Sequence, residues 1–121
     1  MKINWNQKEP IYIQLRDKLV ELILDGVLLD EQPLPSVRQI ASEQRINPIT
    51  VSKAFQLLVD EGLVEKRRGL GMYVVSGARE TLSRKERNEF LEKEWPVIRR
   101  KMERLGLEVN DLPGGQAAGE E

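Results

Sequence analysis

The sequence contains no cysteine and no histidine. Their absence removes disulfides, thiol nucleophiles, imidazole bases and the commonest zinc ligands in one step. Asp, Glu, Lys, Ser, Thr and Tyr remain for catalysis, and no two of them stand in a recognisable catalytic arrangement. No enzymatic activity, cofactor or metal is therefore expected. Long apolar runs are also missing. With no stretch of eighteen apolar residues, and no basic segment followed by an apolar one at the N-terminus, neither a membrane span nor a signal peptide is expected. A soluble cytoplasmic protein is the default. Positive charge is not in excess either: the formal net charge is -1, whereas nucleic-acid-binding chains are often basic overall.

What is present is a chain of 121 residues with 40% hydrophobic content, enough for one compact domain and a modest core. Its charge is unevenly spread. Residues 1–34 hold four basic and six acidic side chains, while residues 35–75 hold six basic ones (Arg38, Arg45, Lys53, Lys66, Arg67, Arg68) against four acidic ones.

After a short arm, Pro10 sits where the start of a helix tolerates it, and Ile11, Leu15, Leu19, Leu22 and Ile23 then recur at helical spacing, with Gly26 as the stop. Pro33 and Pro35 keep the following connector, 27–35, out of helix. Ser36 opens a capping box in which Gln39 reaches back, starting a short helix over Val37 to Gln44. After a three-residue corner, Asn47 caps and Pro48 begins a third helix. Val51, Phe55 and Leu58 face inward on it, whereas Ile49, Lys53, Gln56 and Asp60 lie roughly opposite, with Ser52 at the flank. An apolar Ile49 on the outward face has no use in the core.

Leu63 to Lys66 and Met72 to Val75 read as two strands around the tip Arg67-Arg68-Gly69-Leu70-Gly71. Three helices and a hairpin in this order make a winged helix-turn-helix. From Ser76 onward charge and helix formers dominate. Leu91, Trp95, Ile98, Met102 and Leu105 form a seam of two heptads, too short for an independent coiled coil but long enough to pair with its own copy. Pro96 predicts a kink or break there, giving two consecutive helices before and after Trp95. The fold class is thus mainly α with a small β-hairpin: a winged helix-turn-helix over 1–76, a short C-terminal helical dimerisation region over 77–108, and a flexible tail over 109–121.

From Pro10 to Val75 the chain resembles the DNA-binding domain of the GntR family of bacterial transcription regulators. The matching stretches are PIYIQL, LPSVRQIA, INPITVSKAFQLL, EGLVEKRRG and GMYV. The Asn-Pro-x-Thr-Val form of the third helix and the short C-terminal part are similar to the YtrA-like subfamily. The resemblance implies a homodimer that binds a double-stranded DNA operator through two winged helices, usually as a repressor. It implies DNA contacts at Arg38, Asn47, Pro48, Ile49, Thr50, Ser52, Arg68 and Gly69; the charges of Lys53 and Arg67 place them in the same set. Two positions depart from the family pattern. Glu31 stands where a glycine is usual, so a different connector turn is expected, and Ile49 stands where the subfamily often has a second asparagine.

A homodimer carrying two reading helices predicts an inverted-repeat operator with half-sites one helical turn apart or a multiple of it. Any small-molecule effector would sit between subunits, because the C-terminal part is too small to enclose a pocket. The competing reading is a winged-helix protein-interaction module without sequence-specific DNA binding, in which the basic tip is only a solubilising surface.

Overall fold

The computed structural model describes residues 1–114; the last part of the expected tail, 115–121, lies outside the described residues. The chain divides into two compact units, residues 1–83 and residues 84 onward.

The first unit contains α1 (Ile11–Leu24), α2 (Val37–Gln44), α3 (Pro48–Asp60), β1 (Val64–Arg67), β2 (Gly71–Val74) and the start of α4 (Ala78–Glu89). Its core draws on every element. Leu15, Leu19 and Ile23 come from α1, Ile40 from α2, Val51 and Leu58 from α3 and Val74 from β2, all fully buried. Each such side chain contributes about 2 kcal/mol of hydrophobic stabilisation. Val20 joins them, while Ile11 stays at the exposed start of α1 and Leu22 is half-buried, so the buried stripe follows the i, i+4 row. The N-terminal arm is tied down by Gln14. Its Nε2 donates to the carbonyls of Asn6 (2.9 Å) and Glu9 (2.7 Å), and Ile3 and Trp5 pack against the core. Ala78 and Leu82 are buried in the same cluster, which is why the first turns of α4 belong to this unit.

Side-chain caps fix the helix starts. The Gln39 N–H donates to Ser36 Oγ (3.0 Å), and the Ile49 N–H donates to Asn47 Oδ1 (2.9 Å) with Pro48 at the first position of α3. The reciprocal half of the expected capping box is not made. Gln39 Nε2 donates instead to Glu43 Oε1 (3.5 Å), a charged acceptor one turn along the same face. Between α2 and α3 the chain turns through Arg45, which adopts φ 55, and half-buried Ile46 anchors the corner against the core.

The hairpin is tighter than its sequence suggests. Val64 pairs with Val74, Glu65 with Tyr73, Lys66 with Met72 and Arg67 with Gly71, leaving only Arg68-Gly69-Leu70 as the loop. Gly69 at φ 77 permits this, since the Leu70 N–H closes the turn on the Arg67 carbonyl at 2.8 Å. The connector contributes as well. Residues 31–34 lie along β2 through Glu31 N–H to Val74 O (2.8 Å), Val74 N–H to Gln32 O (2.9 Å) and Leu34 N–H to Met72 O (2.8 Å). Pro33, facing Tyr73, sits at an edge position where no N–H is needed.

In the second unit α4 runs into a π-helical turn, Phe90–Glu94, and then α5 (Trp95–Leu105). Here the Trp95 N–H donates to the Phe90 carbonyl, five residues back. Pro96 has no N–H for the carbonyl of Glu92 and its ring crowds that carbonyl; the widened turn makes room, so the expected break takes the form of a bulge. An i to i+5 turn holds one residue more than an α turn, so residues before it shift around the axis by about 100°. Phe90 thereby moves into the angular place that heptad spacing assigns to Leu91. Met102 is buried and Trp95 half-buried, while Leu91, Ile98 and Leu105 are exposed. Residues 109–111 form a 3-10 turn closed by the Glu108 N–H donating to Asp111 Oδ2 (2.8 Å). Among the described residues no helix is long and apolar enough to cross a membrane.

Candidate nucleic-acid interface

The outward face of α3 presents Ile49, Ser52, Lys53 and Gln56 to solvent, all exposed, with Thr50 half-buried beside them. Ile49 is 64% exposed although apolar and β-branched. The other members of this face are partly engaged. Lys53 Nζ lies 5.7 Å from the centroid of the Tyr12 ring, and Gln56 Nε2 donates to Asp60 Oδ1 at 2.8 Å. Asn47 spends its side-chain oxygen on the Ile49 N–H, Pro48 has no N–H, and the Thr50 and Val51 N–H groups donate to the Asn47 carbonyl (2.9 and 3.3 Å), so the Asn47 Nδ2 and the partial positive charge of the helix are what α3 offers at its start.

Two open clefts flank this helix. One, between α2 and the start of α3, brings Arg38 and Ser42 beside Pro48. The other lies between α3 and the hairpin and joins Ser36, Ser52 and Gln56 to Lys66 and Leu70. Arg38, Lys66 and Arg68 make no ion pair with any described residue, so their charge is available to an outside anion.

The hairpin sorts its cations by parity. Side chains alternate along a strand, and Val64 and Val74 are buried toward the core, so Lys66 and Met72 share that face next to α3. Glu65, Arg67 and Tyr73 occupy the opposite face. There Arg67 Nη2 donates to Glu31 Oε1 (3.1 Å), Nε donates to Glu65 Oε2 (3.2 Å), and the guanidinium lies 4.2 Å from the Tyr73 ring centroid. Arg68 and Gly69 project at the tip together with Leu70, which is 69% exposed. Charge alone groups Lys66 with Arg67 and Arg68, and the alternation of buried Val64 with Lys66 carries the signal that separates them.

The family model described as bacterial regulatory proteins, gntR family, matches residues 11–74. The chain belongs to the gntR family. The HTH-type transcriptional repressor YtrA of Bacillus subtilis is 40% identical over 82 residues, covering 68% of this chain and 63% of the relative. This chain thus aligns with less than two thirds of that relative's length. A crystal structure of a transcriptional regulator from Oenococcus oeni superposes with a TM-score of 0.71 at 28% identity, covering 85% of each chain. The N-terminal domain of AraR in complex with mutant ORR3 superposes with a TM-score of 0.55 at 26% identity, covering 58% of this chain and all of that one.

Within this gntR-family winged helix position 31 takes a left-handed turn. Glu31 holds φ 67, the left-handed conformation that a glycine would take without cost and that another residue adopts at about 1 kcal/mol. The far end of α3 is held by a contact that local patterning does not reveal: Arg16 of α1 forks onto Glu61 through Nε (2.9 Å) and Nη2, with Nη1 donating to Asp17 at 2.8 Å. Hydrogen bonding to Glu61 raises the Arg16 pKa, so the guanidinium stays charged throughout the physiological range.

Proposed function

We propose that this gntR-family chain is a sequence-specific DNA-binding transcription regulator, acting as a homodimer on an inverted-repeat operator and in the sense of a repressor. The observation that carries this is the convergence of exposed Ser52 and Gln56 of α3 with Lys66 and Leu70 of the wing on one cleft, with unpaired Arg38 in the cleft at the start of α3 and unpaired Arg68 at the wing tip. The positive end of the α3 dipole and the free cations on either side suit a groove bordered by phosphates. Arg38 forks to phosphate oxygens or to guanine O6 and N7, the latter giving about 1 to 3 kcal/mol of discrimination. Ile49 offers apolar contact to a thymine methyl. The repressor naming of the YtrA relative and the ORR3 complex of AraR support the reading. Exposed Ile98 and Leu105 and half-buried Trp95 supply an apolar surface for a second copy.

The test is selection of duplexes from a randomised pool by the full chain, followed by anisotropy titration and sedimentation. Enrichment of an inverted repeat bound by a dimer is expected. Enrichment of no sequence, with binding to immobilised protein partners only, would replace this reading by the protein-interaction one.

A further inference from the structure

We infer that Arg67 is a positioning residue of the wing, locked by Glu31 of the connector, and makes no phosphate contact of its own. This rests on the DNA-binding reading above and assigns one residue within it. Arg67 closes β1 immediately before the tip, where charge alone would send it to DNA as readily as Arg68. Its surroundings differ. Two carboxylates, Glu31 at 3.1 Å and Glu65 at 3.2 Å, surround the guanidinium, and Tyr73 covers one face at 4.2 Å. Paired with two anions, the group brings no net positive charge to a phosphate. Releasing counterions from DNA requires a free cation, and the tip has those in Lys66 and Arg68.

Glu31 gives the second, independent observation. It keeps φ 67, which residues other than glycine seldom adopt, at the one point of the connector from which its carboxylate meets Arg67. Glycine would hold the same backbone turn without the carboxylate that ties Arg67 to the connector. The Glu31 N–H also donates to Val74 O, and Leu34 a few residues on donates to Met72 O, so the segment leading into α2 is fastened to the wing by backbone and side chain together. Arg67 is the side-chain fastening, and it sets where Lys66 and Arg68 stand relative to α3.

The geometry demands a planar fork. A lysine keeps the charge but cannot bridge two carboxylates while lying flat on Tyr73. The test uses the full chain and a duplex that the unmodified protein selects from a randomised pool, titrated across salt concentrations for Arg67→Ala, Arg67→Lys, Arg68→Ala and Arg68→Lys. Both Arg67 variants should lose about fivefold to tenfold in affinity, from two exposed ion pairs and one stacking contact. Their slope of log K against log salt should equal that of the unmodified chain. In the dimer Arg68→Ala removes one phosphate contact from each of two wings and should lower the slope by about 1.8, and Arg68→Lys should retain it. Arg67→Lys binding at full affinity, or Arg67→Ala lowering the slope by the same amount as Arg68→Ala, overturns the assignment alone. If the unmodified chain selects no duplex, the functional reading falls and takes this one with it.

Discussion

Ile49 offers the sharpest quantitative test of the reading face. It is 64% exposed at the start of α3, and nothing in the core depends on it, so Ile49→Ala should change the melting temperature little. Burying that exposed fraction against DNA would contribute about two thirds of a full isoleucine burial, or about 1 to 2 kcal/mol per protomer. The partner's share is smaller and better defined. Removing one thymine methyl deletes one buried carbon, worth about 0.8 kcal/mol, or about fourfold in affinity. Changed in both half-sites of a symmetric operator, the loss should approach fifteenfold. The assay is anisotropy titration of the unmodified chain and Ile49→Ala against duplexes in which each thymine in turn is replaced by deoxyuridine. At the contacted position the unmodified chain should lose about fourfold and Ile49→Ala almost nothing, the two perturbations removing the same contact. Equal losses for both proteins at every thymine would refute the methyl contact.

Asn47→Ala removes the cap of α3 and should cost about 1 kcal/mol, lowering the melting temperature by about 4 to 8 °C in calorimetry; an unchanged midpoint would show that the cap is dispensable. Glu61→Ala breaks the fork from Arg16 and should destabilise by up to about 1 kcal/mol while leaving the salt dependence of DNA binding as it was, because the pair lies at the far end of α3. Ile98→Asp places a charge on the apolar surface of α5 and should convert a dimer to a monomer in sedimentation, with operator affinity falling as avidity is lost. A dimer of undiminished stability would take α5 out of the interface.

Elements that begin with their own chemistry were readable in advance. Ser36 and Asn47-Pro48 mark the starts of α2 and α3 because a cap is a bond between near neighbours. The buried set of α3 follows from the same local logic, since one helical period decides it. The hairpin was readable in kind but not in length, as the turn closes one residue earlier on each side once Gly69 takes a positive φ. Pairings across long sequence distances were hidden. Glu31 meets Arg67 from 36 residues away and Arg16 meets Glu61 from 45, distances over which no periodicity speaks. Pro96 announced a disturbance, yet how a helix absorbs one depends on which carbonyls can be carried by a wider turn. On the outward face of α3 the exposed residues were legible, while the separation of Lys66 from Arg67 onto opposite faces of the hairpin needed the strand parity set by Val64 and Val74.

The strand-like connector on β2 has a consequence for how copies of this chain meet in a crowded cell. A bare two-stranded hairpin leaves rows of unpaired amides and carbonyls on which another chain can grow a sheet. Here residues 31–34 occupy the outer side of β2, and Pro33, with no N–H to extend the ladder, makes that side a poor template for a further strand. Encounters through that side of the wing are thereby discouraged from turning into β-aggregation, although the hairpin itself is only two strands wide.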